Sequence, residues 1–219
     1  MRTFVGMFRR TRRRAGAAFT LAELLVVIAV VGVLAGLLFT ALSKVQARGR
    51  ATQCVANLRQ WGVALNLYAN DNDGNYPKRG QGIQPITMLE VNQLTAPDVW
   101  INALPPYFGQ PGFVDAVHAG RAPKPGDHSV FVCPDARPSA SGPYFLPYAM
   151  NMYLSPTIRP DPHKRASIPE PSQLAFLADG PVAWSSTVPS SQAYSVPARH
   201  AGRANVCFVD GHVASFDGA

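Results

Sequence analysis

Phe19–Leu42 reads FTLAELLVVIAVVGVLAGLLFTAL, 24 residues whose only charge is Glu23. As a helix the run spans about 36 Å at about 1.5 Å per residue, enough to cross a hydrocarbon core about 30 Å thick. It is too long for the apolar centre of a secretory signal, which takes about 7–15 residues with small residues after it. Here Gly16, Ala17 and Ala18 come before the run. Six arginines (Arg2, Arg9, Arg10, Arg12, Arg13 and Arg14) and no acid fall within residues 1–18. The positive-inside tendency leaves that end in the cytoplasm. The sequence therefore predicts a single-pass anchor, N-terminus cytoplasmic, with the chain from residue 43 onward exported.

Composition narrows the function. Of 219 residues, 47% are apolar and 15% charged, which supplies a core and excludes a fully disordered chain. The net charge of +7 suggests nucleic acid only until it is located. Residues 1–18 contribute +6, and the rest carry 14 basic and 13 acidic side chains, so no basic face and no nucleic-acid partner are expected.

An ionised carboxylate in an apolar span costs about 2.5–3.5 kcal/mol at the centre and less near the edge. Glu23 either snorkels to the headgroups or needs a cationic partner in the membrane. A free α-amine exposed by a cut just before Phe19 would lie four residues away. The stretch Phe19-Thr20-Leu21-Ala22-Glu23-Leu24-Leu25-Val26-Val27-Ile28, behind a short basic leader, resembles the start of type IV prepilins and type II secretion pseudopilins. The resemblance implies that a prepilin peptidase removes residues 1–18 by cutting between Ala18 and Phe19 and methylates the new amine. It also implies that Glu23 neutralises the amine of a neighbouring subunit during assembly. Ala18 stands where Gly is usual, and Thr40 replaces a common Pro, so the proline kink is not expected. A cut after Gly16 would put Glu23 out of register.

Beyond the transmembrane half (19–42), an amphipathic half is expected over 43–70. Cys54, Leu58, Trp61, Leu65 and Tyr68 recur at 4, 3, 4, 3 spacing, one stripe of a helix. Asp71-Asn72-Asp73-Gly74-Asn75-Tyr76-Pro77 ends it, because Asp and Asn bond locally, Gly supplies positive φ and Pro stops the helix. Asp71 and Asp73 are candidate calcium ligands by likeness to the first half of a calcium loop, although Gly82 stands where its closing glutamate would be. No other cofactor is implied. Residues 78–128 read as loops packed around Trp100, Tyr107 and Phe108.

Strands are expected at Ser129–Cys133, Leu174–Ala178, Ala204–Val209 and His212–Phe216. Asp210-Gly211 joins the last two as a type I′ turn. The fold class is thus α+β and pilin-like, a long N-terminal helix packed on a small antiparallel sheet with long loops, the head spanning 71–219. His200 precedes Asp210-Gly211 by nine residues. With Cys133-Pro134 and Tyr148-Ala149-Met150-Asn151, this is similar to the H-x9-D-G segment of a bacterial group of prepilin-like proteins. The histidine reads as a partner of a backbone carbonyl or of the turn Asp, as a metal ligand with His212 or Asp210, or as a catalytic group.

Three cysteines in an exported domain allow one disulfide. Cys207 lies in an apolar strand. Cys54 is on the inner stripe and Cys133 ends a segment that should cover it, so a Cys54–Cys133 bridge worth about 3–4 kcal/mol is expected. No nucleophile elbow, P-loop or zinc-protease motif is present, Ser185 and Ser186 have no histidine in useful context, and no catalytic residue is assigned. The expected function is a structural subunit of a pilus or type II secretion pseudopilus. Its partners would be the peptidase, like subunits, the assembly platform and the inner membrane. The alternative is an uncleaved, signal-anchored exported binding module or hydrolase.

Overall fold

The structure, a computed structural model, describes residues 20–78, 97–137, 145–154, 164–183 and 196–217. Contacts divide the chain into two units, Met1–Lys44 and Val45–Ala219. Helix α1 (Leu21–Asp71) is continuous in backbone hydrogen bonding through Thr40 and Gly49. Its first half buries almost nothing: Leu24, Val27, Leu34, Leu38 and Phe39 all expose more than half of their surface.

In the second unit the picture inverts. Cys54, Leu58, Trp61, Leu65 and Ala69 are fully buried, the stripe that the 4, 3, 4, 3 spacing predicts, with Tyr68 packed at its margin. Asp73 closes the helix in the left-handed region (φ +53°), and the Gly74 amide bonds back to the Ala69 carbonyl at 2.8 Å. That six-residue return satisfies a carbonyl the helix would leave orphaned.

Four antiparallel strands form one sheet in the order β1 (Leu146–Met150), β2 (Ala175–Ala183), β3 (Arg203–Phe208), β4 (Val213–Asp217). Strand β1 was not expected. Pro147 hides it from a propensity reading, yet a proline is tolerated on an edge strand. Its register shifts between Leu146 and Tyr148, opposite Gly180 of β2. A Cβ on Gly180 would lie 2.8 Å from that of Ala149, so glycine is required by close strand approach.

Ser129–Cys133 is not a strand, a correction to the sequence reading. Side chains of α1 take the carbonyls that a ladder would use. Asn57 Nδ2 donates to Ser129 O (3.2 Å) and Val132 O (2.8 Å), and Trp61 Nε1 donates to Val130 O (3.1 Å). Phe131 and Val132 are still buried, so the apolar run reports burial, not conformation. Among residues 97–128 the chain makes short helices at Trp100–Ala103 and Phe113–His118 and a 3-10 turn at Pro105–Phe108. Trp100, Phe108 and Phe131 meet Trp61 edge-on with centroids 5.0–5.4 Å apart.

The β3–β4 hairpin is also not the predicted type I′ turn. Gly211 N–H donates to Phe208 O and Phe208 N–H to His212 O, both at 2.9 Å, and Gly211 alone takes positive φ (+93°) in the loop Val209–Gly211. This is the three-residue connection with a glycine bulge. The two-residue turn with paired positive φ lies elsewhere, at Ala201 (+54°) and Gly202 (+86°). There His200 and Arg203 exchange reciprocal backbone bonds of 2.9 and 3.2 Å.

The helix and the β3–β4 hairpin come close at Gly62, where an added Cβ would lie 2.7 Å from Cys207 Sγ and 2.9 Å from Gly211 Cα. Gly62→Val should lower stability by about 1–3 kcal/mol through overpacking. Gly49→Ala, with nothing within 4 Å, should gain up to about 1 kcal/mol of helix propensity. Thermal melts of the detergent-solubilised chain that rank the two variants the other way would refute this packing.

Candidate functional site

The start of α1 is a capping box. Thr20 precedes the first helical turn, and its N–H and Oγ1 both donate to Glu23 Oε2 at 2.8 Å, while the Glu23 N–H donates to Thr20 Oγ1 at 3.2 Å. The Thr-x-x-Glu spacing was there to be read in the sequence, and it gives Glu23 a local partner within its own chain. Ala18 and Phe19 lie outside the described residues, as do Ser185, Ser186 and Gly82. Glu23 therefore stands as the lone acid in the first half of α1, residues 21–44, whose apolar side chains no part of the described chain covers.

The chain carries the prokaryotic N-terminal methylation motif. Its family model matches residues 13–39, which include Ala18, Phe19, Thr20 and Glu23. The methylation motif is a signature of type IV pilins and pseudopilins, and the helix that bears it is long and apolar enough to cross a membrane. The match ends well before the C-terminal His200–Gly211 segment. No curated protein and no solved structure matches the chain.

Far along the chain from the methylation motif, a buried charge cluster gathers around His200. Its Nδ1 lies 2.9 Å from Asp135 Oδ2, and its Nε2 lies 3.3 Å from Asp179 Oδ2 and 3.6 Å from Cys133 Sγ. Arg50 Nε meets Asp135 Oδ1 at 2.5 Å, Arg199 Nη1 stands 3.6 Å from Asp179 Oδ1, and the Asn205 amide donates to Asp179 Oδ2 at 2.8 Å. Two carboxylates on the two ring nitrogens suit an imidazolium, since only that form donates from both. Burial works against its charge, but the bonds and charges of Asp179 and Asp135 outweigh it and hold His200 above its ordinary value. Burial pulls Arg199 down, against Asp179 and Tyr148.

This corrects the expected partners of His200. Asp210 does not meet it. The six residues of β3 lie between them, roughly 20 Å at about 3.3 Å each. Asp210 Oδ1 instead accepts from the His212 amide (3.0 Å) and contacts its Nδ1 (2.6 Å). Burial tends to raise the Asp210 carboxyl, yet those contacts hold it below the usual range. Gly211 packs under Gly62.

Cys54 and Cys133 form a disulfide with Cα atoms 5.1 Å apart. Their sulfurs and His200 put donor atoms within 4.8 Å of one another. Sulfurs bonded to each other offer no thiolate to a metal. Cys207 is free and buried, its thiol pushed up by burial to about 12. Asp71 and Asp73 sit at the helix stop, where Asp71 receives the Tyr107 hydroxyl and Asp73 supplies the left-handed turn.

The cluster makes stability depend on pH. The folded ring holds its proton more tightly than the unfolded chain, so the contribution is complete below about 6.5 and is lost as pH rises through the raised folded value. The melting temperature should fall across that window, and His200→Gln should flatten the fall. Equal slopes for the two proteins would sink the imidazolium assignment. Ala201→Gly, which removes a side chain from positive φ, should raise stability by about 0.5–1 kcal/mol in the same melts.

Proposed function

We propose that the chain is a prepilin-like or pseudopilin-like structural subunit, cut by a prepilin peptidase between Ala18 and Phe19 and assembled with like subunits into a pilus or secretion pseudopilus. The observation that carries this reading is the methylation motif set on a helix whose apolar half is bare and holds a single acid. Such a surface needs lipid, or the same surface on other subunits, to cover it.

Glu23 gives the packing its register. In the free chain Thr20 holds the carboxylate. In a filament the methylated amine of a neighbour would compete for it, and a charge left buried without a partner is costly. His200 supports a structural reading of the head, since its side chain is 5% exposed and both ring nitrogens are engaged. The inner membrane, the peptidase and the assembly platform are the partners this reading requires.

Mass spectrometry of the mature N-terminus provides the test. N-methyl-phenylalanine at residue 19 is expected, and a chain recovered only with residues 1–18 intact would overturn the proposal. Glu23→Ala should leave membrane insertion unchanged and lower the sheared or cross-linked filament fraction at least about tenfold, the scale of losing one buried charge partner. Normal assembly of that variant would remove the register role.

A further inference from the structure

The helix and sheet of the head do not stay in contact along their whole length. Residues of β3 alternate, so Arg203, Asn205 and Cys207 share one face, with Ser215 of β4 opposite Asn205 and Val213 opposite Cys207. At Cys207 that face touches α1 through Gly62. Toward Arg203 a cleft of about 550 Å³ separates them, lined among others by Thr52, Arg59, His200, Arg203, Asn205 and Ser215.

The polar groups of this cleft are unbalanced. Arg59 and Arg203 bring two permanent cations, and no carboxylate is among the lining residues. Arg203 commits Nη2 to Ser215 O at 2.6 Å, which fixes the guanidinium at the cleft wall. Arg59 forms no ion pair among the described residues. The acids nearest His200 are already engaged: Asp135 by Arg50 and His200, Asp179 by His200, Arg199 and the Asn205 amide. Asp217, the register partner of Arg203, forms no ion pair within 4 Å among the described residues.

Asn205 supplies the second, independent observation. It is 2% exposed, and its Oδ1 accepts from Ser215 Oγ at 2.6 Å, an arrangement that orients the amide. Its Nδ2 is buried and has no hydrogen-bond partner among the described residues. A buried donor without an acceptor is costly, and protein interiors rarely tolerate one. Asn205 lines the cleft, whose permanent charges are the two arginines.

We propose that this cleft is an oxyanion-binding site, in which Arg59 and Arg203 clamp a phosphate, sulfate or carboxylate group and the Asn205 side chain turns its Nδ2 outward to donate to one of its oxygens. Guanidinium groups suit such anions because their N–H donors match pairs of oxygens. The site lies wholly within the head and does not depend on the filament reading.

The experiment uses the full-length chain in a neutral maltoside detergent, titrated with inorganic phosphate, sulfate or glutarate against sodium chloride at matched ionic strength. Melting temperature and calorimetric heat are the readouts. At least one of the three anions should raise the melting temperature above the chloride control, and the strongest of them identifies the preferred oxyanion. Arg59→Gln, an exposed substitution away from the core, should weaken that binding about tenfold while leaving the melting temperature in chloride unchanged. Arg203→Gln should weaken it comparably. Three anions indistinguishable from chloride would overturn the proposal, as would an Arg59→Gln protein that binds like the parent.

Discussion

One helix has to satisfy two solvents. The residues of α1 before Lys44 are apolar around the whole circumference, and those after it are apolar on one stripe only. A helix hydrophobic all round needs an apolar environment on every side, whereas a striped one needs a single partner surface. The first requirement makes the bare half and its lone Glu23 meaningful as a packing surface. The second brings the sheet, the aromatic cluster around Trp61 and the disulfide at Cys54 onto one face. Most of the remaining architecture follows from that division.

Polar side chains of α1 do as much organising as apolar ones. Asn57 and Trp61 hold the carbonyls of residues 129–132, and Asn66 Nδ2 holds Val209 O at 3.0 Å beside the hairpin loop. Each bond satisfies a backbone group that would otherwise be buried without a partner. Long irregular connections can therefore lie against the core instead of standing in water. This is how a head with 20 prolines in its chain and only four described strands keeps its interior closed.

The charge cluster around His200 belongs to the same logic. Asp135 follows the disulfide cysteine, Asp179 lies in the middle of β2, and His200 is set by the turn at Ala201-Gly202. The cluster ties the segment after Cys133 to β2 and to the entry of β3, with Arg50 adding α1. Removing any one charge would strand another in a low-dielectric setting. The neighbouring cleft has the opposite character, with cations and donors but no acid among its lining residues.

The sequence by itself determined the elements whose cause is local. The bare apolar half of α1 follows from an unbroken apolar run, the inner stripe from its spacing, and the helix stop from Asp73-Gly74. Strands β3 and β4 were legible for the same reason, because alternation and β-branched content act within a few residues, whereas of β2 only the apolar part up to Ala178 was expected and its continuation through Asp179-Gly180-Pro181 to Ala183 was not. Only the tertiary structure decided the rest. Residues 129–133 have a strand's composition and lost that conformation to donors on α1, more than 65 positions away. Strand β1 gained its conformation despite Pro147, because an edge position needs no amide there. His200 found Asp135 and Asp179, 65 and 21 positions distant, instead of the nearby Asp210. Local sterics and periodicity are written in short windows of sequence. Partners for buried polar groups are chosen by which distant segments the packed core brings within hydrogen-bond reach.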